Sequence, residues 1–173
     1  TVWTPDGNHC YVQGATYPEW RTNDHTFIRD DNGRWHCFGI TRPWVSGDNG
    51  HTGEGLCFHA VAPEGTFAQA VRFQAWRDAP KIHVGDCGWA PMAVKIGGEY
   101  SLIGSQLGRA TSRDLSTWTD KGKLNAQGKG RDPNILLWKN TYHLLRCAGT
   151  GISLVTSEDF VHWTDPVMIY RPE

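Results

Sequence analysis

Two aspartates of this 173-residue chain stand at the same point of a repeated segment, Asp24 within Asn23-Asp24-His25 and Asp132 within Arg131-Asp132-Pro133. Each is followed by an apolar run, a turn containing Gly or Asn, and a second run led by an aromatic residue. An Asp before a strand ordinarily caps a turn through its side chain. Two in one register favour a shared site instead. Carboxylates that converge from separate parts of a chain suit the cleavage of a glycosidic bond, where one acts as base or nucleophile and another as acid.

The elements that must position them come from the repeat itself. Asn23 to Thr41 (NDHTFIRDDNGRWHCFGIT) is written again as Trp89 to Gln106 (WAPMAVKIGGEYSLIGSQ) and as Arg131 to Ala148 (RDPNILLWKNTYHLLRCA). Asp24 aligns with Ala90 and Asp132, and Trp35 aligns with Tyr100 and Tyr142. Each copy reads as a β-hairpin with two mostly buried strands. A second half also recurs: Ser112 to Asp120 is SRDLSTWTD and Ser157 to Asp165 is SEDFVHWTD. It reads as a third strand, a turn held by Ser and Asp side chains, and a fourth strand opened by Trp.

The unit is thus a four-stranded antiparallel meander of roughly forty to fifty residues, the size of a propeller blade. The spacing predicts an all-β, propeller-type domain of about three blades, near 24–76, 89–124 and 131–170. Residues 1–22 read as a strand of a neighbouring or closing blade. The first blade's third and fourth strands are expected at about Leu56 to Val61 and Val71 to Trp76. No segment keeps a helical period over twelve or more residues.

In such a meander the start of strand one and the loop between strands two and three lie at one end, and strand one lines the axis. Asp24 and Asp132 are therefore expected at the axial mouth, each immediately before an innermost strand. The long polar loop Arg42 to Gly53 overhangs that mouth, whereas its counterparts near Leu107 and Gly149 are short. Flat aromatic rings at a mouth stack on the CH-rich faces of sugars, which singles out Trp44 and Trp89. Trp35, Trp118, Trp138 and Trp163 are expected in the core. His25 and His51 can hydrogen-bond hydroxyls or move protons, with a plain turn role the alternative for each.

Composition narrows the partners. A formal net charge of -1 supplies no basic field for nucleic acid. No apolar run approaches the ~20 residues of a membrane span. Nine Trp, 20 Gly and 9 Pro suit a turn-rich β protein. Thr1 rather than Met opens the sequence, as in a mature or trimmed chain, and a secreted or periplasmic location fits a removed leader. The five cysteines include Cys37, Cys57 and Cys147 in apolar strand patterns, which reads as buried thiols. The His9-Cys10, His36-Cys37 and Cys57-Phe58-His59 groupings lack the short paired spacings of zinc sites. No metal and no cofactor are expected.

At this point the residues carry a resemblance. The set resembles the five-bladed β-propeller glycoside hydrolases, the superfamily of family 43 arabinanases and xylosidases and family 32 invertases and levanases. Asn23-Asp24 is similar to the first-blade NDP motif that carries the base or nucleophile, with His25 in place of proline. Trp89-Ala90-Pro91 resembles the WAP motif of a second blade, with Met92 where family 43 usually has Asp. Arg131-Asp132-Pro133 resembles the RDP motif of a third, whose Asp orients substrate and tunes the acid.

The resemblance covers essentially the whole chain and implies a carbohydrate substrate, with Asp24 and Asp132 catalytic. Asn23, His25, Trp44, His51, Trp89 and Arg131 would be on the substrate. The family's general-acid Glu belongs to a fourth blade, which this sequence does not reach. Glu54, beside the first-blade loop, is the substitute; Glu19, Glu64, Glu99 and Glu158 read as turn or surface residues, and Glu173 has no strand after it. The expectation is a partial five-bladed propeller, completed by the rest of a longer chain or by homo-oligomerisation. The rival functions are a non-catalytic carbohydrate-binding module and a structural interaction domain.

Overall fold

The computed structural model describes residues 20–43, 56–72, 77–79 and 89–173. They form three antiparallel four-stranded sheets, each a simple meander. The first contains β1 (Trp20–Arg29), β2 (Arg34–Pro43), β3 (Leu56–Glu64) and β4 (Arg77–Ala79), with a short helix α1 (Phe67–Arg72) between β3 and β4. The second contains β5 (Met92–Ile96), β6 (Glu99–Ile103), β7 (Gly108–Ser112) and β8 (Thr119–Lys123). The third contains β9 (Arg131–Trp138), β10 (Thr141–Ala148), β11 (Gly151–Ser157) and β12 (Val167–Tyr170). The innermost strands adjoin in the order β1, β5, β9. This is a β-propeller arrangement of three blades.

The hairpins form where the sequence supplies left-handed residues. Gly97 and Gly98 both have positive φ between β5 and β6, and Lys139 and Asn140 do so between β9 and β10. Two such residues in a row give the turn whose twist matches a tight hairpin. The Ser-x-Asp repeat builds a second device. Ser112 Oγ accepts the Leu115 N–H at 2.8 Å while Asp114 Oδ1 accepts those of Ser116 and Thr117. In the third blade Ser157 Oγ accepts from Phe160, and Asp159 Oδ1 from Val161 and His162. Both turns force one apolar residue into the left-handed region, Leu115 (φ 60°) and Phe160 (φ 65°). Such a conformation costs on the order of 1–3 kcal/mol in a residue with a side chain. What it secures is placement, since Leu115 and Phe160 are wedges in the two cores between blades.

Those cores follow from strand alternation. Phe38, Cys57 and Ile28 of the first blade meet Ala93, Tyr100, Leu102, Ala110, Leu115 and Trp118 of the second. Val94, Ile96, Ile103, Leu107 and Leu124 leave the opposite face of the second blade to meet Ile135, Leu144, Val155, Phe160 and Trp163 of the third. Trp118 and Trp163 thus occupy corresponding posts, each half-buried against an interblade core. The outer face of the first blade is covered by its own helix, through Ala70 on Cys37, Phe58, Ala60 and Ala62.

Several expectations need correction. Val71 lies in α1, and the fourth strand of the first blade is Arg77–Ala79. The cause is a capping box: Thr66 Oγ1 accepts the Gln69 N–H while Gln69 Oε1 accepts that of Thr66. Residues 20–22 belong to β1, not to a separate preceding blade. Trp138 is 56% exposed rather than core, and Cys147 is exposed rather than buried. Both lie on the face of the third blade that no described sheet covers; Ile96, which stands where Trp138 does in the repeat, has the third blade against it. Leu136 is exposed on the same uncovered face. Cys10 lies outside the described residues.

Candidate active site

The aspartates sit inside the innermost strands, not just before them, and at irregularities of the ladder. In β1, Asn23 pairs with Ile40 and His25 with Gly39, so Asp24 is an extra residue with no partner. In β9, Asn134 pairs with Leu145 and Arg131 with Cys147, so Asp132 and Pro133 together oppose Arg146. A bulge of this kind bends the strand and re-aims a side chain. Asp132 is left-handed at φ 56°, and Ala90, its counterpart in the second blade, is left-handed at φ 41°.

All three aligned positions line one open cavity of about 780 Å³, together with Asn23, His25, Thr26, Pro91, Met92 and Asn134. Thr26 ties two of the strands beneath it. Its hydroxyl accepts the Ala93 N–H at 3.2 Å and donates to Met92 Sδ at 3.7 Å, which joins β1 to β5.

The two carboxylates have different surroundings. Asp24 is exposed, and its carboxylate makes no hydrogen bond or ion pair with another described residue. Asp132 is half-buried and held at both oxygens: Arg131 Nη1 lies 2.9 Å from Oδ2, and Ser105 Oγ donates to Oδ1 at 3.3 Å. These two contacts fix the orientation of the Asp132 carboxylate. Asp132 is thus held in place by its neighbours, while the Asp24 carboxylate faces the cavity with no partner among the described residues.

Of the other residues singled out, Asn23 and His25 line the cavity, and the His25 ring meets Phe27 edge-on at 5.2 Å. Arg131 reaches the site only through Asp132. Trp89 is 48% exposed beside the cavity but not in its lining, and its carbonyl accepts the Ser105 N–H. Trp44, His51 and Glu54 lie outside the described residues. The sequence reading passed over Thr26, Asn134 and Ser105. Thr26 and Asn134 flank the aspartates in the repeat, and Ser105 lies in the short loop already assigned to the mouth, so position alone could have found them. No group of three or more His, Cys, Asp or Glu among the described residues is arranged to hold a metal ion.

The fold is that of β-propeller glycoside hydrolases. A family 117 glycoside hydrolase of the marine bacterium Zobellia galactanivorans superposes with a TM-score of 0.65 at 13% identity, covering 94% of this chain and 57% of that one. The α-L-arabinanase of Penicillium chrysogenum, solved with arabinobiose, gives 0.61 at 13% identity over 99% of this chain and 54% of its own. An exo-1,5-α-L-arabinanase from a bovine ruminal metagenomic library gives 0.57 at 20% identity, covering 93% and 58%. The chain spans little more than half the length of these structures. No protein-family model matches the sequence, and no curated protein matches it.

Proposed function

We propose that the chain is a glycoside hydrolase-like protein whose cavity binds oligo- or polysaccharide and acts on glycosidic bonds. The observation that carries this reading is the pair of aspartates in one cavity, from different blades, one without a partner among the described residues and the other clamped. Asp24 serves as base or nucleophile. Asp132 positions the sugar and biases the acid electrostatically. Glu54 is the candidate acid, and Asn23, His25 and Asn134 offer hydrogen bonds to hydroxyls. The fold neighbours that act on arabinan make arabinosides the first substrates to try.

A second reading is favoured by one observation: the described lining holds no Glu, and Asp24 and Asp132 are its only carboxylates. On that reading the cavity binds carbohydrate without cleaving it. Turnover of arabino-oligosaccharides and of 4-nitrophenyl α-L-arabinofuranoside separates the two, because an acidic phenol leaves without a proton. Loss of general acid–base assistance costs about 10²- to 10⁴-fold. Asp24→Asn is expected to remove activity on both substrates by at least that factor while binding persists. Activity that survives Asp24→Asn would refute the mechanism; binding with no turnover in the wild type would favour the module.

A further inference from the structure

We propose that Ser105 is a positioning residue of this cavity, fixing Asp132 from the neighbouring blade; the inference rests on the reading of Asp132 given above. Ser105 sits in the tight turn between β6 and β7, closed by Leu107 N–H on the Gly104 carbonyl at 2.8 Å and by Gly104 N–H on Gly108 at 3.0 Å. Its own N–H donates to the Trp89 carbonyl at 2.7 Å, which anchors the turn to the start of its blade. The hydroxyl then crosses to the next blade and does two things at once. It accepts the Asp132 N–H at 3.0 Å and donates to Asp132 Oδ1 at 3.3 Å.

One oxygen thus holds both the backbone and the carboxylate of the same residue. That matters because Asp132 is left-handed at φ 56°, a conformation that needs outside support. Arg131 holds the other carboxylate oxygen, but its side chain is 75% exposed, so water screens and competes with that pairing. Ser105 is half-buried and its turn is braced on two sides, which makes it the stiffer of the two restraints.

The fold does not itself require a hydroxyl there. In the repeat Ser105 corresponds to Ile40 in the first blade, which cannot make these bonds, and to Cys147 in the third, whose thiol makes them only weakly. Of the two described blade boundaries, the one with Ile40 leads to Ala90 and the one with Ser105 leads to Asp132, so the hydroxyl goes with the carboxylate. A role in placing that carboxylate accounts for it; a role in blade packing does not.

The test uses the whole chain with Ser105→Ala and Ser105→Thr, assayed on 4-nitrophenyl α-L-arabinofuranoside, with amide hydrogen exchange followed by NMR. Misplacing a reacting or orienting group by about 1 Å costs up to ~10²-fold. Ser105→Ala is expected to lower kcat roughly 10- to 100-fold with KM within about twofold. Ser105→Thr, which keeps the hydroxyl, is expected to restore most of kcat. Exchange at the Asp132 amide is expected to rise in the alanine variant alone, with the melting temperature and the Leu144 and Val155 amides unchanged. Unchanged kcat, or failure of threonine to rescue, would overturn the assignment. If the wild type turns nothing over, the hydrolase reading falls by itself, and the Asp132 amide decides: faster exchange in Ser105→Ala upholds the restraint, and unchanged exchange rejects it.

Discussion

Replacing Gly39 by Ala tests whether the site and the core of the first blade are mechanically joined. Gly39 is buried in β2, opposite the bulge that carries Asp24. A Cβ added there would lie 2.5 and 2.7 Å from the Phe58 ring and 2.9 Å from the Asp24 carbonyl oxygen, where ordinary contact begins at 3.4 Å. The Phe58 ring is 2% exposed and packs with Cys37, Ala60 and Ala62, so it has little room to swing. Overpacking of this kind costs about 1–3 kcal/mol, and two obstacles on opposite sides place Gly39→Ala in the upper half of that range. For a domain near this size each kcal/mol moves the melting temperature by roughly 2–4 °C. A fall of about 4–12 °C is expected by calorimetry or circular dichroism. Trimming the obstructing ring should recover part of it, so Gly39→Ala combined with Phe58→Leu is expected to melt above the sum of the single losses. A melting temperature within about 1 °C of wild type would refute the reasoning, because overpacking against a fixed ring cannot be that cheap.

The remaining expectations concern acid and the repeat turns. Burial is the main influence on His36 and pushes its pKa below the ordinary 6.5, against the raising effect of Asp30, whose Oδ2 lies 3.3 Å from Nε2. The unfolded chain then binds the extra proton, so this stabilisation is present above about pH 6.5 and is lost as pH falls below it. Urea midpoints should therefore drop from about pH 6.5 downward, and His36→Gln should flatten that slope; an unchanged slope would show that His36 is not responsible. Asp114, held down to about 2 by the Thr117 and Ser116 N–H groups, acts in a separate window. Its contribution is present above its unfolded value of 3.8 and is lost as pH falls toward 2. Ser157→Ala strips the acceptor from the buried Phe160 N–H and should cost about 1–3 kcal/mol in chemical denaturation. A neutral result there would mean the left-handed Phe160 wedge holds without its serine.

The second and third blades were legible because their wedge turns use the same residues: Ser to accept one N–H and Asp to gather two more. Local chemistry of that kind survives in sequence. Which face of a strand is covered does not, since it depends on whether another sheet lies against it. Trp138 and Ile96 follow the same pattern along the chain, yet one is open and the other packed. The helix α1 was missed because six residues are too short for a periodicity, although the Thr66–Gln69 capping pair announced it. At the cavity, the common register of Asp24, Ala90 and Asp132 could be read directly. The bulges that displace Asp24 and Asp132 could not, because pairing is fixed by the partner strand. Ser105 escaped notice because its significance comes wholly from a residue 27 positions away.

The bulge at Asp24 separates two kinds of information in β1. A residue the ladder does not count has no cross-strand neighbour to satisfy, so its identity is free of the alternation that places Thr26 and Phe27. Blades one and three put Asp at the matching position, each at an irregularity of the ladder, while blade two puts Ala just ahead of a hairpin that pairs regularly. At Asp24 the charge of the mouth can therefore change without disturbing a cross-strand pair, whereas at Asp132 the same change also removes a bond to Ser105 of the neighbouring blade.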